Sequence, residues 1–189
     1  MDIHIGAHVE ATDGRVGEVT RVVVEAQDQV LTHIVVGARV LGVERQVPIE
    51  EVADATPERV ALLVSRADFE NLPPFERTVA YTPPSAGDIY LDQVRRTVEV
   101  DQVDIAEDEI AVRGGERVEA TDGAIGRVDG VVVDPASRAV THIVLREGHL
   151  WHTRTVTIPV GHIDRVERGV IYLTLSKAQV EPLSKAPNA

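Results

Sequence analysis

Cysteine is absent from this 189-residue chain. That excludes disulfides, thiolate-ligated zinc, iron–sulfur clusters and cysteine nucleophiles. Aromatic residues are scarce, at 3% of the sequence, so any core has to be aliphatic. Basic residues are few as well: 19 Lys and Arg stand against 31 Asp and Glu, for a net charge of −12. Neutralising a phosphate backbone takes clustered cations, whereas here they are scattered, with only small spots such as Arg95-Arg96. Nucleic acid is therefore not an expected partner. No apolar run approaches the roughly 20 residues of a membrane-spanning helix. The first residues, MDIHIGAHVEATDG, lack the basic and apolar regions of a secretory signal. The expectation is a soluble, cytoplasmic protein without direct membrane insertion. Catalytic signatures are missing too: there is no G-x-S-x-G nucleophile elbow and no G-x-x-x-x-G-K-[ST] phosphate loop.

What the chain does have is valine and repetition. Hydrophobic residues make up 43% of the sequence, and the abundance of β-branched side chains favours pleated strands. The hexapeptide VEATDG occurs twice, at Val9–Gly14 and Val118–Gly123. Laying Gly6–Val36 over Gly115–Leu145 without gaps matches about half the positions. GRVGEVTRVVVE faces GAIGRVDGVVVD, and LTHIVV faces VTHIVL. After a two-residue insertion VPIEEV faces IPVGHI, and VALLVSRADFENL faces IYLTLSKAQVEPL. Each copy spans roughly 70 residues, near the lower size of an independent domain.

Within each copy the pattern is all-β: short Val/Ile-rich stretches separated by turn chemistry. Asp13-Gly14 and Asp122-Gly123 suit the positive-φ positions of tight hairpins. Gly17 and Gly126 follow at a spacing that suggests a bulge or a close backbone approach. Each copy ends in a short helix, with Ser65 and Ser176 as N-caps and Pro73-Pro74 stopping the first. Five or six short strands hide their edges best by curling into a small barrel with the helix plugging one end. The expected organisation is a first barrel over residues 1–75, an acidic, Pro-containing linker over 76–109, and a second barrel over 110–189. DIHIG is expected to supply the first strand of the first barrel, and IAVRGG that of the second. The stretch 88–100 fits either a strand or an amphipathic helix.

The second copy, with its D-G-x-x-G-x-V run, the Asp134-Pro135 turn and the IPV strand at Ile158–Val160, resembles a PRC-barrel domain. The first copy resembles it more plainly, with Glu25-Ala26 in place of the Asp-Pro turn. The resemblance implies two tandem small PRC-type β-barrels, each with a short C-terminal helix. Similar domains form the cytoplasmic part of the photosynthetic reaction-centre H subunit and the C-terminal domain of the ribosome-maturation factor RimM, where the barrel serves as a protein-docking module. The family shares no catalytic residues, so the resemblance implies a binding role and not an enzyme.

Asp13 and Asp122 suit turns better than an acid pair. His33 and His142 occupy equivalent strand positions, which argues for structure. The HLWH loop differs: it stands where the first copy reads VLGV. His149 and His152, with His142 or His162, form a loose metal-ligating set. The spacing favours exposed polar residues over a metal centre, so no cofactor is expected. Trp151, the only tryptophan, suits either a cover over the barrel end or an exposed interface anchor. Together His149, Leu150, Trp151, His152 and Arg154 are the candidate protein-contact residues. The reading that results is a non-enzymatic adaptor or scaffold with a protein partner, its barrels packed on each other or paired in a homodimer. A metal or small-ligand sensor using the second copy's histidines is the alternative.

Overall fold

A computed structural model describes residues 1–37, 43–81, 98–103, 105–147, 154–167 and 169–185. The chain is mainly β. The first copy contains β1 (Asp2–His4), β2 (His8–Ala11), β3 (Gly14–Glu25), β4 (Val30–Gly37), β5 (Glu44–Pro48), β6 (Val52–Ala55), β7 (Arg59–Leu62) and helix α1 (Arg66–Glu70). Next come β8 (Glu76–Tyr81) and β9 (Val98–Val103). The second copy repeats the pattern with β10 (Glu109–Arg113), β11 (Arg117–Ala120), β12 (Gly123–Val133), β13 (Val140–Glu147), β14 (Arg154–Pro159), β15 (Ile163–Glu167), β16 (Val170–Leu173) and α2 (Lys177–Val180). Both helices are capped as their sequences suggest. The Ser65 hydroxyl accepts the Asp68 N–H at 3.2 Å, and Ser176 and Gln179 form a reciprocal capping box.

The two large sheets have the same order, β5-β4-β3-β2-β7-β6 and β14-β13-β12-β11-β16-β15, each with one parallel pair between its fourth and fifth strands, β2 with β7 and β11 with β16. A seventh strand joins each sheet from the other copy. β10 pairs antiparallel with β3 over Arg21–Glu25, and β1 pairs with β12 over Gly130–Val132. The expectation that Asp2–Gly6 and Ile110–Gly115 each open their own copy's barrel is thus corrected: each opens in the other's sheet.

The reason lies in strand lengths. β3 runs for 12 residues and β12 for 11, whereas β2 and β11 run for only 4 each. Half of one edge of each long strand would otherwise carry unpaired N–H and C=O groups in a half-buried setting. The exchanged strands cover those half-edges. The chain then turns back into its own copy through matching bonds, Gly6 N–H to Val19 O at 2.7 Å and Gly115 N–H to Val128 O at 2.9 Å.

A pseudo-two-fold relation follows. Val30 and Ala139, which hold the same place in the two copies, pair with each other as an antiparallel bridge. Leu31 N–H donates to Arg138 O at 3.0 Å and Val140 N–H to Gln29 O at 2.8 Å, again counterparts exchanging bonds. Gln29 and Arg138 both adopt left-handed backbone, at φ 56 and φ 62. One aliphatic core spans both copies, with Ile3 joining Val128, Val131 and Ile143 as well as Val22 and Ile34. The packing of the two copies on each other is therefore continuous core and shared sheet.

The expected closed barrels are not seen. The two outer strands of each sheet follow one another through a 3-10 turn, at Ile49–Glu51 and Val160–His162, but no ladder joins β5 to β6 or β14 to β15. Pro48 and Pro159 stand at the strand ends without an N–H to give. The outer edge of β5 is taken instead by the segment after α1: Gln46 N–H donates to Pro73 O and Phe75 N–H to Glu44 O, both at 2.9 Å. The stretch read as a linker holds a hairpin, since β8 and β9 pair antiparallel from Glu76–Val103 to Tyr81–Val98. Residues 98–100 are strand; 88–97 lie outside the described residues.

Two predictions test this weave. A Cβ at Gly130 would stand 2.5 Å from Ile3 O and 2.9 Å from His4 Cα. Gly130→Val should lower stability by about 2 kcal/mol in urea unfolding, with the fastest new amide exchange in Asp2–His4. Glu116 occupies the place of the buried Ala7, and its burial pushes the carboxyl up from its ordinary value, against the pull of Arg21 and Arg113. The fold thus favours the protonated form. Glu116 is least unfavourable below the ordinary carboxylate range, and that contribution is lost as pH rises through the raised value. Glu116→Gln should raise the melting temperature at pH 7, with the gain fading towards pH 4 in a pH series of thermal melts.

Candidate functional site

The duplicated acids are taken up by the fold. Gly14 and Gly123 sit at φ 142 and φ 121, which glycine alone adopts without strain. The turns they make aim Asp13 and Asp122 at the two helices. Asp13 Oδ1 accepts the Arg66 N–H at 2.7 Å, and Asp122 Oδ1 accepts the Lys177 N–H at 2.9 Å. Each acid thereby satisfies the first backbone donor of a short helix, in addition to the serine cap. A Cβ at Gly126 would stand 2.6 Å from Arg146 O, and one at Gly17 would collide with Gly37 O. Both glycines face register shifts in the adjoining strands, at Val9/Glu10 and Val118/Glu119.

The histidines separate. His142 lies on β13 with Nδ1 3.0 Å from Thr141 Oγ1. His162 ends the 3-10 turn after β14, and its carbonyl accepts the Thr174 N–H at 2.9 Å. His149, Leu150, Trp151 and His152 lie outside the described residues. Among the described residues no group of three or more His, Asp or Glu is arranged to hold a metal ion. Arg154, at the start of β14, bonds its cross-strand neighbour Glu147 at 2.8 Å, which raises the guanidinium pKa further.

Sequence reasoning missed a cleft between the copies, with a volume of about 1240 Å³. One wall is the outer face of the second sheet: Val132, Val144 and His142, then Thr155, Thr157 and Pro159 of β14. The facing wall comes from the first copy, with Ile49, Glu50, Val52, Ala53, Asp54 and Ala55. Asp2 and His4 of the exchanged β1 form its floor, and Leu183 closes one end. His4 is held between Asp2 at 3.2 Å and Asp129 at 3.4 Å, and Asp129 also pairs with Arg146. Arg138 pairs with Glu50 across the two copies at the rim. The neighbouring Asp134 is held below the ordinary carboxylate range by hydrogen bonds from the Ser137 backbone and hydroxyl and the Ala136 N–H, which stiffens the Pro135 turn.

The same face in the first copy is covered. Phe75, fully buried, packs on Val23 and Val35, with Ile105 and Ala111 beside it. Arg21 lies over the Phe75 ring at 4.4 Å and pairs with Glu44 at 3.0 Å and Glu76 at 3.3 Å. The pseudo-symmetric counterpart of the cleft's other half is only about 230 Å³, lined by Val112, Val131, Val160 and Ile163. No helix among the described residues is long and apolar enough to cross a membrane. No protein-family model matches the chain, and no curated protein matches it significantly.

The helix-tethering role of the repeated acids has a direct consequence. Asp13→Ala and Asp122→Ala should each cost about 1 kcal/mol of stability, and adding metal ions should leave the melting temperature of the parent and of either variant unchanged in differential scanning calorimetry.

Proposed function

We propose that this chain is a non-enzymatic, cytoplasmic binding protein of PRC-barrel type, an adaptor that holds a protein partner in the cleft between its two copies. The observation that carries the reading is the asymmetry of an otherwise duplicated molecule. Both copies offer a sheet face with two valines at matching places, Val23 and Val35 in one, Val132 and Val144 in the other. The first is filled by the chain's own phenylalanine; in the second Val144 is buried as well, and the half-buried Val132 beside it borders a large cleft. Concave sites with apolar walls and a few convergent polar groups are the usual place for recognition. The groups here suit binding: Thr155, Thr157, His142 and Asp54 offer hydrogen bonds around an aliphatic wall. The resemblance of both copies to docking modules points the same way, as an argument from fold.

The test uses affinity capture with the full chain and two variants that put bulk and charge into the cleft from opposite walls, Thr155→Arg and Ala53→Arg. Both positions are exposed, so both variants should keep the parent's melting temperature. A protein partner retained by the parent should fall about tenfold or more in both variants, the equivalent of 1.4 kcal/mol. Undiminished capture by both would remove the cleft from the reading.

A further inference from the structure

We propose that the small cavity lined by Val112, Val131 and Val160 is a binding site for a compact apolar amine, a molecule of about ten heavy atoms that buries a ring and leaves its ammonium group at the mouth. The site is separate from the cleft, because β12 gives Val131 to this cavity and Val132, on the opposite face of the strand, to the cleft. The reading of the cleft neither needs this site nor falls with it.

The duplication supplies its own control. In the first copy the equivalent region is packed shut: Ile3, Leu31 and Ile49 are buried, at 0%, 0% and 4% exposure. The second copy has Val112, Val140 and Val160 in those places. Register fixes the first two equivalences, since Ile3 pairs with Val131 as Val112 does with Val22, and Val24 pairs with Leu31 as Val133 does with Val140. Each exchange removes one methylene group from the same region. Two exchanges go the other way: Ile163 and Val166 of β15 stand where β6 has Val52 and Ala55. The larger residues gain as many carbons as the smaller ones lose, so the core keeps its composition and changes its shape. Val52 and Ala55 are buried, whereas Val112, Val160, Ile163 and Val166 are half-buried around a hollow of about 230 Å³. Protein interiors leave few voids larger than a water molecule. An apolar cavity on the order of 150 Å³ stays dry and takes up benzene, so a ring with a short side arm fits here.

The polar groups of the lining give the sign of the guest's charge. They are Glu25, Gln29, Asp164 and Arg165, the first half-buried and the others exposed, which places them at the mouth. Arg165 is already engaged: it pairs with Asp164 at 2.5 Å and with Glu167 at 3.5 Å, and it lies over the Tyr172 ring at 4.1 Å. Two carboxylates thus answer one guanidinium. Glu25 adds a third acid and has no ion-pair partner among the described residues. An ammonium group at this mouth meets net negative charge and stays in contact with water, so it is spared the cost of burying a charge. A carboxylate there would meet the same charge as repulsion.

The experiment titrates the full chain, labelled at its Ile, Leu and Val methyl groups, with 2-phenylethylamine and follows the methyl resonances. Shifts should concentrate at Val112, Val140, Ile143, Val160 and Ile163. Phenylacetate, of similar size and opposite charge, should bind several-fold more weakly at low salt, with the difference narrowing as salt is added. The triple variant Val112→Ile/Val140→Leu/Val160→Ile carries the first copy's residues. It should weaken the amine at least about tenfold by filling the hollow, while its melting temperature holds or rises. Val140→Leu alone guards against misfolding of the triple variant and should weaken the amine about threefold, as expected for one methylene group of lost room. Glu25→Gln should weaken the amine about threefold and leave phenylacetate no weaker. Absence of shifts at millimolar amine, shifts centred on Val132 and Thr157 of the cleft, or undiminished binding by the filled variants would overturn the site. A fall in melting temperature in both filled variants would show that there is no room for the added carbons and would overturn it too. Phenylacetate binding as tightly as the amine would overturn the assignment of an amine.

Discussion

A mismatch in strand length governs this molecule. Each copy makes one long strand, β3 or β12, and a neighbour a third as long, β2 or β11. Buried or half-buried backbone groups need partners, and the exposed half-edge of each long strand takes its partner from the other copy. The shared core, the pseudo-two-fold bridge at Val30 and Ala139 and the position of the cleft follow from that exchange. The cleft's floor is itself an exchanged strand, since Asp2 and His4 belong to the first copy in sequence and to the second sheet in space.

Much of this was legible beforehand. The duplication, the mainly β character, the tight turns at Asp13-Gly14 and Asp122-Gly123 and the serine-capped helices can be read from spacing and residue type. The exchange could not be read, because DIH and EIAVR are short extended segments that suit either sheet. Nothing local in a strand names its partner. The tethering of α1 and α2 by Asp13 and Asp122 was hidden for the same reason, since each contact joins residues far apart in the chain. The β8–β9 hairpin left a faint signal in the alternation of RTVAY and VEVDQV, outweighed by the acidity around it. Closure was overestimated: the edge expected to seal the first sheet is already bonded to Pro73 and Phe75.

The candidate site was the least legible part, because it is defined by differences between copies that look alike. Where one copy has Arg21, Ala7 and Phe75, the other has Gly130, Glu116 and Ala186. Each change is modest as sequence. In three dimensions the first removes a stacked guanidinium and lets β1 approach closely, and the second places a carboxyl where a methyl group was buried; Ala186 lies outside the described residues. Duplication lets one copy keep the covered face that stabilises the body while the other diverges.

The strand exchange also sets an order of events during synthesis. β3 emerges early, but the strand that completes its edge, β10, is made only after the intervening hairpin. Pairings between distant segments are slow because the loop must close first. Until then the free half of β3 is open to the equivalent strand of another nascent chain, since β10 of any copy fits it. Ribosomes crowded on one message would favour such trading between neighbours, so the yield of correctly woven monomer should depend on how densely the message is translated.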